Sequence, residues 1–326
     1  MDKISQVTNP DEARHLLEVA LRHEWAVSFE YVIHAYSMPR GKFCYEDPVM
    51  RTRTDARSQS IQIGIDEMYH AYQLGLIITK MGGRPSFTTD EVVRHPRIID
   101  NLRRDKKTEE EVTDLYLSVD WEAGRHPELQ NMVLNIAADE QRHIRQFAAA
   151  IEALEREGAT EALCFREGTE SACREDVQRL HGITRLENEL MHRYLGCAML
   201  FSDHQDLTFR LFKNSLNHMR HWDKNAGLLV ELGSVIKIEN ASTDETGREA
   251  SVHPMPVLYP CQTRLEALEA LVPEEEKLIA AYEALIARLP DGGPKDRLAA
   301  QLAVKREHLY TQGALLANAR RVQDLR

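Results

Sequence analysis

A chain of 326 residues carrying a formal net charge of −11, with 43% hydrophobic and 29% charged residues, has the make-up of a globular protein long enough for two domains. The acidic balance, with no basic stripe to offset it, argues against a nucleic-acid or anionic-membrane partner. The five cysteines, Cys44, Cys164, Cys173, Cys197 and Cys261, form no C-x-x-C pair, which argues against a zinc ribbon or a four-thiolate iron site. Their odd, scattered number fits a reducing compartment, and the polar opening MDKISQVTNPDEA has no apolar targeting core. The expectation is a cytoplasmic protein with no membrane span.

Helical periodicity dominates, and no run alternates as a strand would. Asn9-Pro10-Asp11-Glu12 supplies a cap, a first-turn proline and first-turn acids, and predicts a helix that stops near Pro39-Arg40-Gly41. After a polar loop, SQSIQIGIDEMYHAYQLGLIITKM predicts a second long helix ended by Gly82-Gly83. The stretch from Arg84 to about Lys107, with Pro85 and Pro96, reads as a crossover. A third helix is expected over roughly Glu109 to Ala123, and Pro127 opens a fourth that runs to about Gly158. Residues 1–158 are thus expected as one bundle, 159–180 as a linker with at most a short helix, and 181–326 as a second bundle.

The sharpest features are Glu67-x-x-His70 and Glu140-x-x-His143, each on one face of a long helix. The same motif at Glu12/His15 and Glu189/His192 reads as chance. Both favoured pairs follow an aspartate, Asp66 and Asp139, and each has a glutamate on the preceding helix. Glu24 lies seven residues before Tyr31, and Glu109 seven before Tyr116, so each glutamate shares a face with its tyrosine. Four carboxylates and two imidazoles suit two ions such as iron or manganese, with two carboxylates bridging and nearly neutralising them. The competing explanation is surface salt-bridge carboxylates with two incidental histidines. For Glu109, within Thr108-Glu109-Glu110-Glu111, a capping box with first-turn acids also fits.

LRHEWAVSFEYVIHAY followed by GIDEMYHAYQLGLIITKMGGRP resembles bacterioferritins and their rubrerythrin-type relatives over residues 10–155. The resemblance implies an all-α fold of two tandem ferritin-like four-helix bundles. It also implies a ligand set of Glu24, Glu67, His70, Glu109, Glu140 and His143, bridged by Glu67 and Glu140, with Asp66 and Asp139 orienting the histidines. The loop between the first two helices is longer than in those relatives and contains Cys44.

The spacing recurs in the second half. Glu187 precedes Tyr194 by seven and Glu275 precedes Tyr282 by seven, while His218 and His221 stand where Glu67 and His70 stood, and Lys305 and His308 where Glu140 and His143 stood. The offsets, 187 − 24 = 163, 221 − 70 = 151, 275 − 109 = 166 and 308 − 143 = 165, describe an internal duplication. A lysine cannot bridge two metals, so the second bundle is expected to be metal-free, with a single ion on Glu187, His221, Glu275 and His308 as the rival. The function expected from the first site is a dinuclear iron oxidase or oxygenase. It would use dioxygen, a small-molecule substrate and an electron donor such as a reductase or ferredoxin, in a chain that could form a homodimer. Iron storage with ferroxidase activity and a non-catalytic metal-binding role are the alternatives, and fusion of a second bundle disfavours a storage cage. Trp25, Phe29, Tyr69 and Trp121 are candidates for a pocket wall, and Glu30 and His34 for an added ligand or proton relay.

Overall fold

The computed structural model describes residues 6–86, 88–122, 126–164, 174–203, 205–251 and 263–323. Cys173, Cys261 and Ala123 lie outside them. Eight helices carry the described chain: α1 Pro10–Tyr36, α2 Ala56–Lys80, α3 Ile98–Ser118, α4 Pro127–Arg156, α5 Arg174–Leu200, α6 Gln205–Glu231, α7 Arg264–Ile286 and α8 Gly293–Gln323. They pack as two four-helix bundles, α1–α4 and α5–α8. Seven short strands also occur: β1 Gln6–Val7, β2 Cys44–Glu46, β3 Arg53–Asp55, β4 Val92–Arg94, β5 Asp120–Trp121, β6 Ser242–Thr243 and β7 Glu249–Ser251.

The chain divides into two compact units, residues 1–165 with 238–254, and 166–237 with 255–326. The segment 238–254, expected in the second bundle, belongs to the first unit. Its β7 pairs antiparallel with β4, and Arg94 Nε donates to Glu249 at 2.6 Å. Helix α5 starts at Arg174, inside the stretch expected as linker.

In the first unit the Asn9 side chain accepts from the backbone N–H groups of Asp11 and Glu12, fixing the start of α1. The polar loop after α1 is a β2–β3 hairpin rather than open coil. Asp47 Oδ1 accepts the N–H groups of Val49 and Met50, and Gln146 Nε2 donates to Asp47 Oδ2 at 2.7 Å. Gly82, with φ +78°, ends α2 in a conformation that L side chains rarely adopt.

Helix α3 corrects the expectation of Glu109–Ala123: it begins eleven residues earlier and ends at Ser118. Pro96 lies just outside its first turn, so it marks the start of the helix rather than interrupting it. Ile98, Leu102, Asp105, Glu109, Val112 and Tyr116 fall at alternating spacings of four and three and form its buried face. Glu109 is therefore mid-helix, which removes the capping-box alternative.

Cross-helix pairs set the directions. Glu24 meets His70 while Val32 meets Gly64, and Glu24 meets Tyr116 while His34 meets Asp105, so α1 runs antiparallel to α2 and α3. Arg103 meets Glu155 while Glu109 lies near His143, so α4 is antiparallel to α3. Helices α2 and α3 are consequently parallel, and the crossover must return the length of the bundle. It does so beside α1, where Asp90 N–H donates to Arg22 O and Val93 N–H to Glu30 Oε2. At Gly64 a Cβ would meet Val32 Cγ2 at 2.8 Å and Ser28 O at 3.0 Å. The glycine lets α2 approach α1 one turn before Glu67. Ser215 is its counterpart (215 − 64 = 151), and its hydroxyl donates to Met191 O, the counterpart of Ser28 O (191 − 28 = 163). Among the described residues no helix is long and apolar enough to cross a membrane, and Cys44, Cys164 and Cys197 are not joined in disulfides.

Candidate metal centre

All six expected ligands converge in the middle of the first bundle, and each is buried. Ligand atoms of Glu24, Glu67, His70 and Glu140 lie within 4.8 Å of one another, and so do those of Glu67, Glu109, Glu140 and His143. The two groups share Glu67 and Glu140, the glutamates expected as bridges. Helix order explains this: the two Glu-x-x-His helices, α2 and α4, are antiparallel neighbours, so each brings its glutamate to the centre and its histidine to one end.

The imidazoles are oriented from both sides. His70 Nδ1 faces the cluster, 2.9 Å from Glu67 Oε2 and 3.2 Å from Glu140 Oε1, while its Nε2 lies 3.4 Å from Asp139 Oδ2. His143 Nδ1 lies 2.7 Å from Glu67 Oε1 and 3.7 Å from Glu109 Oε2, and its Nε2 is 3.5 Å from Asp66 Oδ2. Each aspartate thus serves the histidine of the other helix. Arg142 Nη2 donates to Asp66 at 3.0 Å and its Nη1 lies 2.8 Å from Asp139, tying the two together. A carboxylate on Nε2 fixes a ring whose Nδ1 is the inward atom.

The tyrosines also act across the bundle. Tyr116 Oη donates to Glu24 Oε1 at 2.5 Å, although the heptad spacing pairs Tyr116 with Glu109 in sequence. Because α1 and α3 are antiparallel, two turns along one helix reach the glutamate of the other. Tyr31 Oη makes no hydrogen bond among the described residues; its ring stands edge-on to Phe147, with centroids 5.1 Å apart.

Among the protein groups alone, four carboxylates outnumber two imidazolium ions, so the charges balance only when two of the carboxyls keep their protons. Burial raises Glu67 to about 7, reinforced by the Glu109 charge, and burial with the Glu67 charge raises Glu140 well above the usual carboxylate range. Against its burial, hydrogen bonding and the charge of His70 hold Glu24 at about 2, and His143 lowers Glu109 in the same way. His70 and His143 are raised well above the ordinary imidazole value: burial opposes this, but the Glu67 charge and the surrounding carboxylates outweigh it. Glu24 Oε2, Glu67 Oε1, both Glu109 oxygens and Glu140 Oε1 are buried without a well-formed hydrogen bond. Such orphaned oxygens are costly unless they coordinate a cation. A donor set of four carboxylates and two imidazoles fits two borderline-hard divalent ions, so the residues and the group suit each other.

Glu30 and His34 stand apart from this centre. His34 Nδ1 lies 2.7 Å from Asp105 Oδ1 and its Nε2 2.6 Å from Val93 O, while Arg104 Nε donates to Glu30 Oε1 at 2.7 Å. Both ring nitrogens face acceptors, and burial is outweighed by the Asp105 charge, which raises His34. The group fastens the crossover to α1 and α3, so His34 adds no ligand to the dinuclear cluster. Of the suggested wall residues, Trp25 and Phe29 are core, Trp121 is half-buried on β5, and Tyr69 is exposed.

The second bundle repeats the plan with other chemistry. Lys305 Nζ, fully buried, lies 2.7 Å from Glu187 Oε2 and 2.8 Å from His218 Nδ1. His218 also reaches Glu187 Oε2 at 2.6 Å and, through Nε2, Glu275 Oε1 at 2.9 Å. Tyr282 donates to Glu187 at 2.6 Å and Tyr194 to Glu275 at 2.8 Å; the first of these repeats Tyr116–Glu24, and the second completes the pair that Tyr31 leaves unmade. Asn217 stands in for Asp66, 2.9 Å from His308 Nε2. Against burial, the Lys305 and His218 charges hold Glu187 well below the usual range, and His218 does the same for Glu275. His221 Nδ1 lies 3.5 Å from Glu187 Oε1, and burial lowers both His221 and His308. Comparison with protein-family models, with curated proteins and with solved structures gives no match for this chain.

Proposed function

We propose that the chain is a dinuclear iron oxidoreductase that activates dioxygen for oxidation of a small molecule, its ions held by Glu24, Glu67, His70, Glu109, Glu140 and His143. The observation that carries the reading is the pair of overlapping four-ligand groups sharing Glu67 and Glu140, all buried and with orphaned oxygens facing one another. A bound pair of iron ions would supply redox chemistry with dioxygen. The chain's own residues do the rest. Asp66 and Asp139 hold the imidazole rings in place, Tyr116 orients Glu24, and the buried setting keeps bulk water from the carboxylates. Glu67 and Glu140, raised by burial and mutual repulsion, would give up protons as the ions enter.

Iron loading with oxygen uptake tests this. About two irons per chain in the first bundle and oxygen consumption that depends on an added small-molecule reductant support an oxidoreductase. Hundreds of irons per assembly would make the protein a store, and no iron retention would remove the reading altogether.

A further inference from the structure

We propose that the second bundle holds one divalent transition-metal ion, zinc or ferrous iron, between His218 Nε2, His308 Nδ1 and a Glu275 oxygen. These side chains come from three helices, α6, α8 and α7, and their ligand atoms lie within 4.8 Å of one another. His218 Nε2 is 2.9 Å and His308 Nδ1 3.8 Å from Glu275 Oε1. Around an ion with bonds of about 2.1 Å, ligand atoms stand roughly 3–3.5 Å apart, so small side-chain adjustments close the site.

Two independent observations point to a ligand here. Glu275 Oε2 and His308 Nδ1 are buried atoms without a hydrogen bond, and both residues are more than nine-tenths buried. They are also the counterparts of Glu109 and His143, so the site inherits one half of the dinuclear centre. The other half is closed, because Glu187 is taken by Lys305, His218 and Tyr282. His221 faces that closed side.

Lys305 does not fill the open half. It sits at the Nδ1 edge of the His218 ring, whereas the ion would bind at the Nε2 edge, and its charge is already matched by Glu187. Binding at Nε2 places the ring proton on Nδ1, which then donates to Glu187 Oε2, and Lys305 Nζ, also a donor, turns from Nδ1 to Glu187 alone. Asn217 Nδ2 lies 2.9 Å from His308 Nε2; binding of an ion at Nδ1 puts the proton on Nε2 and requires the amide flipped, so that its oxygen accepts from Nε2–H. Two imidazoles and one carboxylate are the donor set of mononuclear zinc and non-haem iron sites, with positions left for exogenous ligands. His308 separates the site from a cleft of about 430 Å³ between α6 and α8, lined also by Arg210, Lys213, Asn214, Asn217 and Glu307, so an ion would enter by displacement of the His308 ring.

Metal equivalents per full-length chain, measured after equilibrium dialysis against zinc or anaerobic ferrous iron with a weak competing chelator, test this. The wild type should hold three equivalents, and His308→Gln and Glu275→Gln two each. Glu67→Ala combined with Glu140→Ala should leave one, which His308→Gln then removes. Retention of zinc alone or of iron alone supports the site and names its ion. Two equivalents in the wild type, unchanged by His308→Gln, would overturn the proposal while leaving the first centre intact. A third equivalent that survives both His308→Gln and Glu275→Gln overturns it as well. One equivalent in the wild type, lost with His308→Gln, would instead uphold this site and sink the dinuclear one. His308→Gln leaves the Glu187–Lys305 pair in place, so it reports even where Glu275→Gln fails to fold, and circular dichroism checks both.

Discussion

The two bundles place the same six positions around the same kind of centre, yet they solve the charge problem in opposite ways. In the first, four buried carboxylates face two imidazoles, and burial with the neighbouring carboxylate charges pushes Glu67 and Glu140 up, which the imidazoles only partly offset. In the second, two of the four carboxylate positions are His218 and Lys305, and both remaining glutamates are held low. Lys305 Nζ, within hydrogen-bond reach of Glu187 and His218, gives Glu187 an ammonium where a metal would otherwise be required. The helices and the Tyr116–Glu24 type of crossed bond are shared, so what sets the candidate metal centre apart is the balance of buried charge rather than the fold.

The largest expected effect comes from moving that lysine. Glu140→Lys reproduces Lys305 in the first bundle and removes a bridge, and should abolish both ions bound there; Glu67→Ala should do the same. Retention of both ions in either purified variant, measured by elemental analysis, would falsify the bridging assignment. The reciprocal experiment is Lys305→Met, which leaves Glu187 buried with its main counter-charge gone. Loss of one partner of a buried pair costs about 3–5 kcal/mol. Denaturant unfolding of the metal-free chain should register that loss, and a change below about 1 kcal/mol at this buried pair would show that Lys305 is not the counter-charge.

pH should separate the bundles next. In the metal-free chain Glu67 titrates at about 7 against 4.5 for the ordinary group, so between those values the folded state keeps a proton that the unfolded state has released. His70 and His143 are also raised, so they act in the same direction above the ordinary imidazole value. Stability from the first bundle is therefore greatest near pH 4.5 and falls as pH rises through 7, the histidines adding to the loss above the ordinary imidazole value. Glu187 and Glu275 are lowered, so their contribution is present above about pH 4.5 and is lost only on acidification. Hydrogen exchange on the metal-free chain from pH 5 to 8.5 should show α1–α4 losing protection relative to α5–α8. Parallel behaviour of the two bundles would contradict the charge argument. The smallest effect is expected at the aspartates: Asp66→Asn or Asp139→Asn should keep two ions at saturation and weaken affinity about 10–100-fold. Unchanged affinity in a competition titration would remove their orienting role.

Much of this was legible in the sequence because the decisive spacings are helical. Three residues within Glu67-x-x-His70 and seven from Glu24 to Tyr31 follow from 3.6 residues per turn, and the recurring offsets are legible as a repeat. What the sequence hid depends on tertiary contact. The start of α3 at Ile98 was masked by the charged run from Arg103 to Glu111, although Ile98, Leu102 and Asp105 continue the face of Glu109. The exchange of tyrosines between helices needs the antiparallel direction of α1 and α3. Strands of two or three residues are too short to show alternation, so the pairing of β4 with β7 left no periodic signal. That Lys305 cannot bridge two metals was legible, but its place at one edge of His218, leaving the other edge toward Glu275, was not.

Anomalous diffraction at the iron edge from crystals of the iron-loaded chain tests the central claim most directly. The account predicts two peaks in the first bundle, about 3.5–4 Å apart, with Glu67 and Glu140 each reaching both and His70 and His143 at opposite ends. A single peak there, or two peaks not spanned by those glutamates, would contradict it.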